Sequence, residues 1–253
     1  KHAAQVTGLD GKIKKDFLLG DWQTDTYLAK WYSFGSNSFR DFSGLYIKPN
    51  AKLGSSPLLL ILPDSHGVTL GFQQMILLFV AHNYKIFIPD LYGKAARTDS
   101  EADELEKSVE DQGILESASI IKMAVDFAYK NFSVSDVVAL GFRDGGGTLL
   151  RIAPHLQAVR GFVDFYGDPF SLKNNKEFDR PLLGIFAALD EEIDKEEVQK
   201  LEKDIATDDK PISFIIMGNV SPGFFEPEKK AYAQDVAFDA FSKALKFIKK
   251  YAP

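Results

Sequence analysis

The feature that most constrains this 253-residue chain is a series of short, nearly continuous apolar runs, each set apart from the next by a longer amphipathic or polar stretch. The runs are Leu58 to Leu62, Lys85 to Ile88, Val137 to Leu140, Gly161 to Phe165, Leu182 to Ala187 and Ile212 to Met217. They are too short for buried helices, and a run such as Leu58-Leu-Leu-Ile-Leu62 is the pattern of a strand covered on both faces of a parallel sheet. Between them, helical periodicity covers Gly71 to His82, Gly113 to Asn131, Thr148 to Ala153, Glu196 to Ile205 and Asp235 to Tyr251. Strand and helix in alternation predict an α/β class with a mostly parallel sheet and helices on both of its faces.

Ahead of that pattern, Gly44-Leu-Tyr-Ile-Lys-Pro49 reads as a strand ended by proline. Residues 1 to 43 are polar and aromatic, punctuated by glycines. They are expected to form short antiparallel strands or ordered loops as an N-terminal extension packed on a core of residues 44–253. Neither a linker nor an internal repeat is visible. The acidic stretches Asp99 to Asp111 and Asp190 to Asp209 read as solvated helix faces or loops.

Composition excludes several classes. Apolar residues make up 45% and charged residues 26%, ordinary globular values. The net charge of -6 comes without a basic stripe, which argues against nucleic acid as a partner. The longest apolar stretches, Leu58 to Leu62 and Met75 to Ala81, fall far short of the roughly 20 residues that span a bilayer. With no cysteine, disulfides, thiolate metal sites and a thiol nucleophile are out, and no cofactor is expected. A start at Lys1 without an initiator methionine, together with the missing cysteines, leans toward an exported protein.

Three segments in chain order carry a more specific signal: Tyr84-Lys-Ile-Phe-Ile-Pro-Asp-Leu-Tyr-Gly93, Val138-Ala-Leu-Gly-Phe-Arg-Asp-Gly-Gly-Gly147, and Val159-Arg-Gly-Phe-Val-Asp-Phe-Tyr-Gly167. Together they resemble the dienelactone hydrolase family over roughly residues 44 to 250, which implies the α/β-hydrolase fold. The second segment matches the strand, sharp turn and helix of that fold's nucleophile elbow. A dinucleotide-binding reading of its glycines fails on spacing and on the lack of a matching acidic strand end.

At the nucleophile position of that elbow the resemblance places Arg143. A guanidinium stays protonated and has no lone pair free for attack, so it cannot form an acyl intermediate. The segment Pro181 to Asp190 resembles the one bearing the family's acid, which assigns that position to Asp190. Ser221-Pro-Gly-Phe224 matches the histidine segment, with Pro222 where the histidine would stand. The chain's histidines are at 2, 66, 82 and 155, none beyond Asp190, although in this fold the histidine comes last in chain order. The loop Pro63-Asp-Ser-His-Gly-Val68 matches the segment supplying an oxyanion-hole amide and an acidic residue beside the nucleophile. It makes Asp64 and Ser65, with Arg143 and Asp144, the expected binding residues.

These assignments predict a family member that binds rather than hydrolyses, taking a small anionic or carbonyl ligand, or an unidentified protein, through the pocket around Arg143. They also predict a salt bridge from Arg143 to Asp64, Asp190 or both. One alternative is an active ester or lactone hydrolase using other residues. Another is a scaffold whose surface aromatics, including Trp22, Trp31 and Phe34, mediate assembly. A metal held by Asp64, His66 and Asp190 has thin support, and a Ser65–His66 dyad has poor geometry because the two are chain neighbours.

Overall fold

The computed structural model describes residues 22–93, 98–174, 178–207 and 211–253. The apolar runs become β4 (Ser56–Leu62), β5 (Lys85–Pro89), β6 (Val134–Phe142), β7 (Val159–Phe165), β8 (Leu182–Ala187) and β9 (Ile212–Met217). All six are parallel to their neighbours in this set. Upstream, β1 (Trp22–Gln23), β2 (Tyr27–Ser36) and β3 (Asp41–Pro49) form an antiparallel ribbon, and β3 pairs antiparallel with β5. The result is one nine-stranded sheet in the order β1-β2-β3-β5-β4-β6-β7-β8-β9.

Residues 22–43 therefore extend the same sheet. The expected division between 43 and 44 falls inside β3, whose pairing with β2 runs from Asp41 to Pro49. Residues 1–21 of the expected extension lie outside the described residues.

Alternation along each strand sorts side chains into two layers. Leu59 and Ile61 of β4, Val138, Leu140 and Phe142 of β6, and Val163 and Phe165 of β7 face one side. There they meet α1 (Leu70–Ala81) and α6 (Gln234–Tyr251). Leu58, Leu60 and Leu62, with Phe87 of β5 and Phe162 of β7, face the other. They are covered by α3 (Ile114–Asn131), α4 (Asp144–Ile152) and α5 (Lys195–Ile205). The remaining helix, α2 (Asp99–Gln112), starts at Thr98, whose hydroxyl accepts the Glu101 N–H at 3.2 Å. No described helix is long and apolar enough to cross a membrane.

Two expectations change. Helix α4 begins four residues earlier than the periodicity predicts and takes in Gly145, Gly146 and Gly147. These are poor helix formers by propensity, but here they allow close packing. The aromatics named for an assembly surface are, where described, at least partly covered. Phe34 is buried against Phe42 and Phe87, Trp31 packs on the core, and the Trp22 side chain lies outside the described set.

Because the core depends on this strand alternation, Leu140→Ala, at a fully buried central-strand position, is expected to cost about 2–5 kcal/mol. A urea unfolding midpoint lowered accordingly, with an unchanged slope, checks it.

Candidate functional site

The parallel strands deliver their loops to the carboxyl edge of the sheet, where ligands bind in open α/β folds. The sharpest of these loops is the turn from β6 into α4. Arg143 sits at its apex with φ 49° and ψ −125°, a conformation that non-glycine residues adopt at a cost of about 1–3 kcal/mol. Its N–H donates to the Phe165 carbonyl (3.0 Å), and its carbonyl accepts the Gly147 N–H (2.9 Å). The flanking glycines have no space for a side chain. A Cβ on Gly145 would fall on the Pro63 carbonyl, one on Gly146 on the Asp164 carboxyl, and one on Gly141 on the Gly146 Cα.

Above this turn lies a cavity of about 310 Å³ that brings together Arg143, Asp190 and Pro222, the three positions assigned by resemblance from distant parts of the chain. Asp144 lines it too, whereas Asp64 and Ser65 are buried beside it. Arg143 is exposed, and the expected salt bridges do not form: it makes no ion pair with any described residue. Asp64 instead faces His66 (3.5 Å) and Lys229 (3.8 Å). Asp190 turns its Oδ1 onto the N–H groups of Glu192 (2.9 Å) and Ile193 (3.1 Å), so it caps its own loop. Among the described residues, no group of three or more histidines and carboxylates is arranged to hold a metal ion.

Several cavity residues escaped the reading by motif. Glu106 and Glu110 of α2 line it, as do Glu192 and Asp168, so the acidic stretches do more than face solvent. Arg151 of α4 also lines it and pairs with Glu110 at 3.3 Å. Burial, and then the charges of Asp144 and Glu110, push the Glu106 carboxyl up. Tyr166, at φ 46°, lines the cavity and donates its hydroxyl to Glu226 (3.2 Å) on the loop after β9. Burial and the nearby Asp64 charge push Glu226 up to about 7. Asp64 goes the other way: burial works to raise it, but His66 hydrogen bonds and the Lys229 charge outweigh that and hold it below the usual carboxylate range.

The sequence profile of the dienelactone hydrolase family matches residues 42–252. The chain belongs to this family. Solved structures agree on the fold. A candidate dienelactone hydrolase from Klebsiella pneumoniae superposes with a TM-score of 0.77 at 16% identity, covering 89% of this chain and 99% of that one. A dienelactone hydrolase-like promiscuous phosphotriesterase from metagenomic libraries gives 0.76 at 16% identity, covering 90% and 100%. A cold-adapted esterase from an Arctic intertidal metagenomic library gives 0.72 at 13%, covering 92% and 97%. No curated protein matches.

In this dienelactone hydrolase-family chain the loop after β4 is fastened to the start of α4 by Asp144, whose Oδ2 accepts the Ser65 N–H at 2.9 Å and the Tyr92 hydroxyl at 3.5 Å. Burial and the Asp64 charge raise the Asp144 pKa, while bonds from Ser65 and from its own backbone N–H pull it back. Ser65, expected to bind ligand, is only 3% exposed and does not line the cavity.

Beneath the turn, Asp164 of β7 is fully buried. Its Oδ1 accepts the Gly167 N–H (3.1 Å) while Oδ2 has no hydrogen-bond partner, and burial pushes its pKa well above the usual range. A carboxyl that folding keeps protonated contributes fully below its unfolded pKa and loses that contribution as pH rises through the folded value. Asp164→Asn, neutral throughout, is therefore expected to melt progressively higher than the parent as pH goes from about 4 to about 8. A melting-temperature difference independent of pH would overturn this account of Asp164.

Proposed function

We propose that this dienelactone hydrolase-family protein binds a small ligand in the cavity above Arg143 and does not run triad hydrolysis. The observation that carries the reading is the guanidinium at the apex of the turn, where the fold presents a nucleophile. Nothing at that atom can attack a carbonyl carbon. The remaining machinery supports the same reading: Pro222 offers neither base nor acid, and the Asp190 carboxylate is taken up by backbone N–H groups of its own loop. Loss of triad members costs factors of about 10⁴ to 10⁶ in rate.

What Arg143 can do is clamp. A planar, exposed guanidinium held on a strained turn presents paired donors to a carboxylate, a phosphate or a carbonyl oxygen. Several neighbouring carboxylates are engaged elsewhere, which leaves the Arg143 donors without an ion pair among the described residues. Glu110 pairs with Arg151, Asp144 accepts from Ser65, and Asp168 accepts the Phe170 N–H at 2.8 Å. Tyr166 and Phe170 supply aromatic wall for the apolar part of such a ligand.

Purified protein is expected to hydrolyse short-chain p-nitrophenyl esters and a dienelactone no faster than a buffer blank. Benzoate binding measured by calorimetry is expected to weaken about ten-fold or more in Arg143→Ala. Turnover well above blank that falls in Asp190→Asn would overturn the reading in favour of an active hydrolase.

A further inference from the structure

In this fold the anion-stabilising corner is a pair of backbone donors, the N–H of the residue after the apex and an N–H from the loop following the first long core strand. Here those donors belong to Asp144 and Ser65. The Asp144 carboxylate accepts the Ser65 N–H at 2.9 Å, and the other donor of the pair is the backbone N–H of Asp144 itself. It lines the cavity, whereas Ser65 lies behind it, 3% exposed. A negative oxygen already occupies the place where a ligand's oxyanion would go.

We propose that Asp144 is a built-in anionic occupant of this amide pair, a specificity determinant that closes the corner to outside anions and leaves Arg143 as the group that meets the ligand. It rests on the cavity being the ligand site, and not on the absence of turnover.

The occupancy follows from close backbone packing. Gly145 sits so near Pro63 that even a methyl group would strike its carbonyl, so the start of the helix and the loop lie in direct contact and the Asp144 side chain spans the short gap between them. An incoming carboxylate could enter only if the Asp144 side chain rotated out. The displaced carboxylate would then lose the Ser65 N–H and the Tyr92 hydroxyl while the Asp64 charge remained beside it. Being covalently attached, the internal carboxylate also competes without the entropy loss that a free anion suffers on binding.

The amide resonances of Ser65 and Asp144 report on this corner separately from Arg143. Titrating the wild type with acetate is expected to leave the Ser65 amide unmoved, even where Arg143 takes up the anion. In Asp144→Ala the same resonance is expected to shift saturably, with acetate bound there about ten-fold or more tighter than in wild type. Asp144→Asn, which keeps an acceptor oxygen in place, is expected to stay closed. Should Asp144→Ala fail to fold, Asp144→Ser carries the same test, since its hydroxyl is too short to reach Ser65. A Ser65 shift in wild type equal to that in the truncated variant, or none in either, would overturn the proposal. Neither result bears on whether Arg143 binds benzoate or whether esters are hydrolysed.

Discussion

At residues 141–147 several backbones meet in contact, and the rest of the carboxyl edge is built on that meeting. Gly141 faces Gly146 across the turn, Gly145 faces the end of β4 and the loop beyond it, and Gly146 and Gly167 close over Asp164. With no Cβ at these points, α4 settles directly onto the sheet and its first turn becomes the floor of the cavity. The same closeness holds Arg143 at φ 49°. Without that packing, the backbone would relax to a commoner conformation and the guanidinium would no longer stand at the apex.

Charge above the floor is organised locally. Asp64, Asp144, Asp190 and Asp168 sit close together near one cavity, yet each finds its own donors: His66 and Lys229 for Asp64, Ser65 for Asp144, and backbone N–H groups for the other two. This division leaves Arg143 without an ion pair among the described residues. A salt bridge to Asp64 was the natural expectation for a cation at that position, but Asp64 already has two cationic or hydrogen-bonding neighbours, and Lys229, from the loop after β9, could not be placed there from sequence.

The strands were the most legible part of the chain. Leu182–Ala187 and Ile212–Met217 have the bounds that their apolar runs imply: the first is buried throughout, as a doubly covered strand requires, and the second keeps its bounds at the sheet edge although Ser213 is exposed. Helix α4 was less legible because propensity argues against helix at three consecutive glycines and only the approach of neighbouring backbones explains them. Within the site, Arg143, Asp190 and Pro222 were reached through motifs, and the cavity does bring them together. Glu106, Glu110 and Arg151 were not reached. They come from an acidic helix and from the far end of α4, and no local pattern separates a carboxylate facing a cavity from one facing water.

The pair formed by Tyr166 and Glu226 has a consequence for the molecule in neutral solution. A carboxyl raised to about 7 exchanges its proton within the neutral range, so two forms of the molecule differ by one proton on a 3%-exposed residue. Tyr166 carries that difference to the cavity wall through a single hydroxyl. A ligand resting on Tyr166 would therefore meet two versions of the same pocket, and any preference between them would appear as proton uptake or release on binding.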